Sequence, residues 1–533
     1  MPAATATHSY DAIVIGAGHN GLVNAAYLAR AGKRVLVLEK RHVLGGASST
    51  EELLPGFKFS VFSYVVSLLR SEIIRELDLP HHGLVILPLE STLTPLPDGR
   101  YLYRDADHFR TMRDIARFSQ RDADAYEDYS QTMYFMAKAV KYLLSIPPPD
   151  PASLAPTELR SLARLAKHFL GLEESHLYNL ARLMTMSSAD FLGRWFESEP
   201  LLGTLAASGI IGTFLGPRSP GTAYVLLHHY MGEIDGAFRA WGFAKDGTGG
   251  IAQAIGRAAE SHGAHIRTNA PVAQVKIRDG QAVGVVLKNG EEYIANVVVS
   301  SLDPRQTFLK LVDPGLLPNE LVGAIQKYTF RGSSGKVNLA LDAAPQLACM
   351  PGAGPHLAGA ISISPNLTYL EMAYDDAKYG DFSRQPYIDI VIPSMIDPHM
   401  APPGKHVMSC FVQYAPYQLC QGSWEERREE FGDRVVDTLV EYFPNLKDIL
   451  LYRQVLSPWD MEQSIGLTQG NIFQGELSLS QLFFLRPAAG YARYHTPIRN
   501  YYQCGSGTHP GGGISGAPGR LAALEILRTW KRG

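Results

Sequence analysis

Residues 11–15, "DAIVI", are an unbroken apolar run rich in β-branched side chains, the signature of a strand buried on both faces. After a short gap, "LVNAAYLARAGK" carries apolar and small residues at helical spacing, and "RVLVLE" then reads as a second strand ending at Glu39. Helix follows strand again at 246–264, where "DGTGGIAQAIGRAAESHGA" predicts a glycine turn, a helix and a stop at Gly263. Next come three alternating segments, "HIRTNAPVAQVKI", "AVGVVL" and "EEYIANVVVSS". They are joined at Asp279-Gly280 and Asn289-Gly290, both read as two-residue hairpin turns. Near the end, "NYYQCGSG" predicts a strand entering a glycine turn, and "ISGAPGRLAALEILRTW" a helix with Pro518 in its first turn. The remaining sequence differs in character. Residues 105–240 are mostly of helical pattern, and 306–485 mix strands with helices. The expected architecture is α/β. A discontinuous dinucleotide-binding domain spans 1–75, 241–305 and 486–533, and an interleaved α+β substrate domain spans 76–240 and 306–485, with its helical part at about 105–240.

The glycines make the first chemical suggestion. Gly16, Gly18 and Gly21 stand at G-x-G-x-x-G spacing between the first strand and its helix, and Glu39 closes the second strand. In that order the first glycine makes the turn, the second lets a pyrophosphate reach the backbone, and the third lets the helix pack closely. Free N–H groups at the helix start would face the phosphates, and Glu39 would accept from a ribose diol. A glycine pair, Gly45-Gly46, follows Glu39 by six residues, and "YYQCGSGTHPGGGISGAPGR" puts seven glycines into positions 501–520. A second strand–G-x-G-x-x-G–helix unit for a nicotinamide cofactor is not evident.

Composition narrows the class. The chain has 533 residues, 46% apolar and 19% charged, with a net charge of −3, so no nucleic-acid partner is expected. Cys349, Cys410, Cys420 and Cys504 form no C-x-x-C, and the histidine pairs His81-His82 and His228-His229 lack the spacing of a metal site, so no metal is expected. No window reaches eighteen uninterrupted apolar residues, and "MPAATATHSYD" resembles neither a secretory signal nor a transit peptide. The expected location is cytoplasmic. The segment 159–172, "LRSLARLAKHFLGL", sets Arg160, Arg164 and Lys167 on one helical stripe, a pattern that suits either peripheral membrane contact or an ordinary solvated face.

The motifs "DAIVIGAGHNGLVNAAYL", "EKRHVLGGASSTEELLPGFKFS", "WFESEPL", "PGTAYVLLHH" and "CGSGTHPGGGISGAPGR" resemble, over nearly the whole chain, the amine-oxidase-like superfamily of phytoene desaturases and carotenoid ketolases. The resemblance implies FAD in a two-dinucleotide, Rossmann-like fold with a β-meander. It also implies oxidation of an apolar small molecule by hydride transfer to flavin N5, with the electrons passing to oxygen or a quinone. The cofactor-binding residues implied are Gly16, Gly18, His19, Asn20, Gly21, Glu39, Lys40, Gly45, Gly46, Ala47, Ser48, Val272 (through its backbone), Ser300, Gly505, Ser506, Gly513, Ile514 and Ser515. The C-terminal helix would aim its N-terminus at the N1–C2 edge of the ring, where reduced flavin gathers negative charge. Lys336, opening "KVNLAL", matches a lysine that faces N5 through a water in amine-oxidase relatives, and His509 falls close to the ring. Each is a catalytic candidate, set against a solvent-exposed lysine and a histidine that braces a turn. An amine-oxidase-type reaction, or a flavin-bearing interaction protein with little turnover, are the alternatives. The run 201–216 suits either a tunnel wall or a close-packed core.

Overall fold

A computed structural model describes residues 9–234, 237–238 and 241–530. The first layer grows from strand β1 (Ser9–Ile15), helix α1 (His19–Arg30) and strand β2 (Val35–Leu38). Helix α2 (Gly249–Ser261) returns the chain to β3 (His265–Arg267), and the meander β4 (Val272–Arg278), β5 (Gln281–Leu287) and β6 (Glu292–Ser300) follows. Strand β7 (Tyr501–Gln503) and helix α3 (Ala517–Trp530) arrive from the far end of the chain. The sheet order is β3-β2-β1-β6-β5-β4, with β7 on the carboxyl half of β6. β1 runs parallel to both β2 and β6, pairing Ile15 with Leu38 and with Ser300.

Asp279 and Gly280 both take positive φ (52° and 70°), as a two-residue hairpin turn requires. The Asn289-Gly290 turn departs from the sequence reading. Leu287 N donates to Glu291 O, so the loop is three residues long and only Gly290 is left-handed (φ 88°). Lys288 thereby joins the loop.

Helix α1 is buried from His19 through Ala29. Its alanines let it sit between the sheet and α3 so closely that a Cβ at Gly519 would lie 2.2 Å from Asn20 O. A second seven-stranded sheet runs in the order 450–456, 334–341, 406–413, 387–391, 360–363, 91–95, 101–105. Its strand Ser334–Leu341 is buried at every position. A helical layer, led by Gln120–Leu143 and Thr222–Tyr230, packs its aromatic and aliphatic side chains beside that sheet. The run 201–216 belongs to this packed core, and only Ile211 of it reaches the cavity described next.

Candidate active site

The carboxyl ends of β1, β2 and β6 open into a cavity of about 890 Å³, the place where parallel α/β sheets bind ligands. Gly16, Gly18, His19, Asn20 and Gly21 line it. Gly18 caps α1 and no side chain satisfies the first-turn N–H groups, which are left for an anion. The nearest atom to a Cβ built at Gly18 is 4.0 Å away, so this face of the backbone is open to a ligand. A Cβ at Gly21 would lie 2.2 Å from Gly16 O, so helix-to-turn packing demands the third glycine.

Glu39 accepts from Ala17 N (2.8 Å) and Arg41 N (2.9 Å), which fixes its carboxylate at the cavity edge with lone pairs to spare for hydroxyl donors. Lys40, Gly45, Gly46, Ala47 and Val272 also line the cavity, and burial lowers the Lys40 pKa. From the far end of the sequence come Ser506, Gly513 and Ile514. Asn20 Nδ2 donates to Ser506 Oγ and Asn24 Nδ2 to Gly519 O, both at 3.0 Å, stitching the first helix to the last motif. His19 Nε2 and Asn20 Oδ1 are buried without a protein partner, as groups awaiting a polar ligand would be. This cradle fits a dinucleotide.

Four expected contacts fall elsewhere. Ser300 Oγ bonds Thr307 Oγ1 (2.8 Å), while Ser301, on the opposite face, lines the cavity and donates to Ile15 O and Gly16 O. Strand alternation separates the two. Ser48 Oγ donates to Gly45 O at 2.9 Å, which holds the turn rather than a ligand. Gly505 sits where a Cβ would lie 2.5 Å from Ser301 O, and Ser515 Oγ accepts from Ala517 N at the start of α3.

Away from the glycines the wall turns apolar. Phe62, Tyr64, Val65 and Leu68 supply one side; Ile211, Trp241, Phe411 and Phe473 supply others. Tyr64 and Phe411 stack at 5.5 Å with an 18° interplanar angle. The Tyr64 hydroxyl donates to Asp389 Oδ2 at 2.6 Å, and burial pushes the Asp389 carboxyl up to about 6. His229 lies parallel to Trp241 (6.2 Å, 19°) with Nδ1 2.9 Å from Val225 O, and burial takes its pKa down to about 4, so the ring is neutral. The His228 ring stands at 89° to it, with centroids 5.5 Å apart. Neither Tyr64 nor Phe411 is marked in the sequence by any spacing motif, whereas His229 stands out only as half of a histidine pair.

The two catalytic candidates do not line the cavity. Lys336 is fully buried in the second sheet, donating to Ser60 O (3.2 Å), Asn338 Oδ1 and Ser409 Oγ (both 2.6 Å). Burial lowers its pKa to about 7. Its ammonium grips the chain just before the Phe62–Leu68 wall, and is neither solvent-exposed nor cavity-facing. The His509 ring sits 3.3 Å (Nε2) from Leu143 O, and burial takes its pKa down to about 3. It braces the glycine turn against the helical layer.

Residues 21–527 match the family described as flavin containing amine oxidoreductase. The chain is 41% identical to pyridine nucleotide-disulfide oxidoreductase domain-containing protein 2 of Rattus norvegicus, over 98% of this chain and 94% of the relative. It is 26% identical to one of the limonene dehydrogenase polypeptides of Castellaniella defragrans, over 97% and 94% of the two chains. Its fold resembles that of an engineered putrescine oxidase, with a TM-score of 0.61 and 16% identity, covering 98% of this chain and 100% of the other. The disulfide in the rat relative's name has no C-x-x-C counterpart here; Cys349, Cys410, Cys420 and Cys504 are scattered and each is free.

Proposed function

This chain belongs to the flavin-containing amine oxidoreductase family and is an FAD-dependent oxidoreductase; we propose that it dehydrogenates an apolar small molecule and passes the electrons to oxygen or a quinone. One observation carries the reading. A single cavity joins a dinucleotide cradle to a wall of aromatic and aliphatic side chains. The relative named for limonene, a hydrocarbon, supports the same substrate class.

Bound FAD supplies the acceptor of an electron pair at N5. The first turn of α1 binds the pyrophosphate, and Glu39, oriented by Ala17 and Arg41, takes the ribose hydroxyls. Phe62, Val65, Leu68 and Phe411 bind the substrate and exclude water. A dehydrogenation releases a proton along with the hydride. In this reading Tyr64 accepts it at its hydroxyl oxygen while its own proton passes to Asp389 Oδ2, 2.6 Å away, whose raised pKa suits that exchange near neutral pH.

The helix Pro156–Leu170 supports a second contact. It buries only Glu158, exposes Leu159 (47%) and Leu170 (79%), and carries Arg160, Arg164 and Lys167 on its outer face. We propose that this helix rests on an anionic membrane surface from which apolar substrates partition.

The deciding experiment mixes the FAD-loaded protein anaerobically with alkenes, polyenes and amines while the flavin absorbance is followed. Bleaching by apolar hydrocarbons is expected. Bleaching by amines alone, or by none of the compounds, would overturn the reading.

A further inference from the structure

Arg486 is the largest side chain that the fold buries completely. Its guanidinium donates to the carbonyl oxygens of Ser506 (3.1 and 2.9 Å), Glu476 (3.1 Å), Gln481 (3.1 Å), Phe473 (2.7 Å) and Gly475 (3.1 Å). None of these acceptors is a carboxylate. The Glu476 side chain is turned onto Arg331 instead, at 2.6 and 2.9 Å. The tyrosine and histidine neighbours are uncharged at neutral pH. The Tyr328 ring lies 5.9 Å away, Tyr224 is close, and His228 and His509 are kept neutral by burial. Arg70, whose field reaches the same two histidines, adds charge of the same sign and has its own partner in Glu72 at 3.5 Å.

Carbonyl dipoles satisfy the donors of a guanidinium but bring no net charge. A whole positive charge therefore stays in a low-dielectric region, an arrangement that is costly unless an anion answers it. Phe473 and Ser506 line the cavity, so the cation stands one residue behind its wall, where the C-terminal glycine motif passes. We propose that Arg486 is the counter-charge for reduced FAD: a buried cation that raises the cofactor's electron affinity and holds its reduced form as an anion. The proposal rests on the FAD reading above, with the ring against Ser506, Gly513 and Ile514. Two electrons and one proton taken up at N5 leave one negative charge on the N1–C2 edge, and a fixed cation stabilises that charge without reorganising. Arg486 touches neither substrate nor cofactor. It acts through Ser506 and through its field.

Sulfite is the probe, because it adds to N5 of oxidised flavin and pushes the same negative charge onto the N1–C2 edge. Arg486→Lys keeps the charge and Arg486→Met removes it. Both variants are loaded with FAD, checked by near-ultraviolet circular dichroism, and titrated by loss of visible absorbance. The lysine variant should hold sulfite within about threefold of the parent, and the methionine variant should lose about tenfold or more. Equal affinity in all three proteins would overturn the proposal. So would equal losses in both variants, which would make Arg486 a clamp on carbonyls alone. If the variants do not fold, the parent protein decides. Its photoreduced flavin should stay anionic across the neutral pH range, and uptake of a proton at N1 in that range would overturn the proposal. Folded protein that takes up no FAD would sink this inference together with the cofactor reading, whereas FAD binding without the charge effect would sink this inference alone.

Discussion

Lys336→Met separates a buried structural cation from one that serves the flavin. Lys336 is wholly enclosed, and burial takes its pKa from the usual 10.5 down to about 7. The folded protein thus binds fewer protons than the unfolded chain between those two pH values. Stability conferred by the neutral amine is fully present above 10.5, falls as pH drops toward 7, and is level below it. At about 1.36 kcal/mol per pH unit, the parent should gain about 2.5 kcal/mol over the variant between about pH 7.5 and about pH 9.5. Other titrating groups cancel in the difference between the two proteins. The absolute cost of Lys336→Met has a separate origin, since Ser60 O, Asn338 Oδ1 and Ser409 Oγ lose their donor. Thermal unfolding of both holoproteins is the assay. If the chain melts as one unit, the gain corresponds to roughly 2 °C in the Tm difference, and to more if the second sheet melts alone. A Tm difference that stays constant with pH would refute the buried-amine reasoning. Loss of flavin reduction with an unchanged pH-stability profile would return Lys336 to the chemistry.

Gly21→Ala forces a Cβ to within 2.2 Å of Gly16 O, backbone against backbone, so FAD binding should be abolished. Flavin absorbance retained after gel filtration checks this, and a yellow variant would show that the turn can yield. Replacing Arg160, Arg164 and Lys167 together by Gln should weaken cosedimentation with anionic vesicles by roughly 100-fold, from about 1 kcal/mol per charge, and leave binding to neutral vesicles unaltered. No binding by the parent protein to either vesicle would dispose of the membrane contact.

The dinucleotide half of the site was legible in sequence because its positions are set by backbone geometry, which glycine spacing records directly. Gly16, Gly18 and Gly21 each line the cavity, and so do Gly45 and Gly46. Side-chain direction was less legible. Ser300 and Ser301 are neighbours with opposite orientations, and only the register against β1 says which one meets the cavity. The apolar half was not legible at all. Phe411 lies in a strand, His406–Gln413, that is buried from its second residue on, so no alternation distinguishes the face that meets a ligand. Lys336 misled for the same reason. A lysine at the head of "KVNLAL" suggested solvent or flavin, but its strand lies between two others in the second sheet and leaves the amine nowhere to go but inward.

Three buried ionisable groups, Lys336, Asp389 and Arg486, share a feature that connects fold to function. Apolar cores are stabilised more cheaply by hydrocarbon than by charge, so each such group calls for a reason. Lys336 holds Ser60, two residues before Phe62. Asp389 holds the Tyr64 hydroxyl, and Arg486 holds Phe473 and Ser506. Each attachment is made to a cavity-lining residue or to the chain that leads directly into one. These segments lack regular strand or helix hydrogen bonding over 61–68 and 472–474, so side chains must do what a ladder would otherwise do. A buried ionisable group suits that task because its hydrogen bonds are strong, and Lys336 and Arg486 each make several at once. Stability is given up in the interior so that an irregular wall keeps one shape around the cavity. Apolar replacements at these positions that raise stability should therefore do so by loosening the wall.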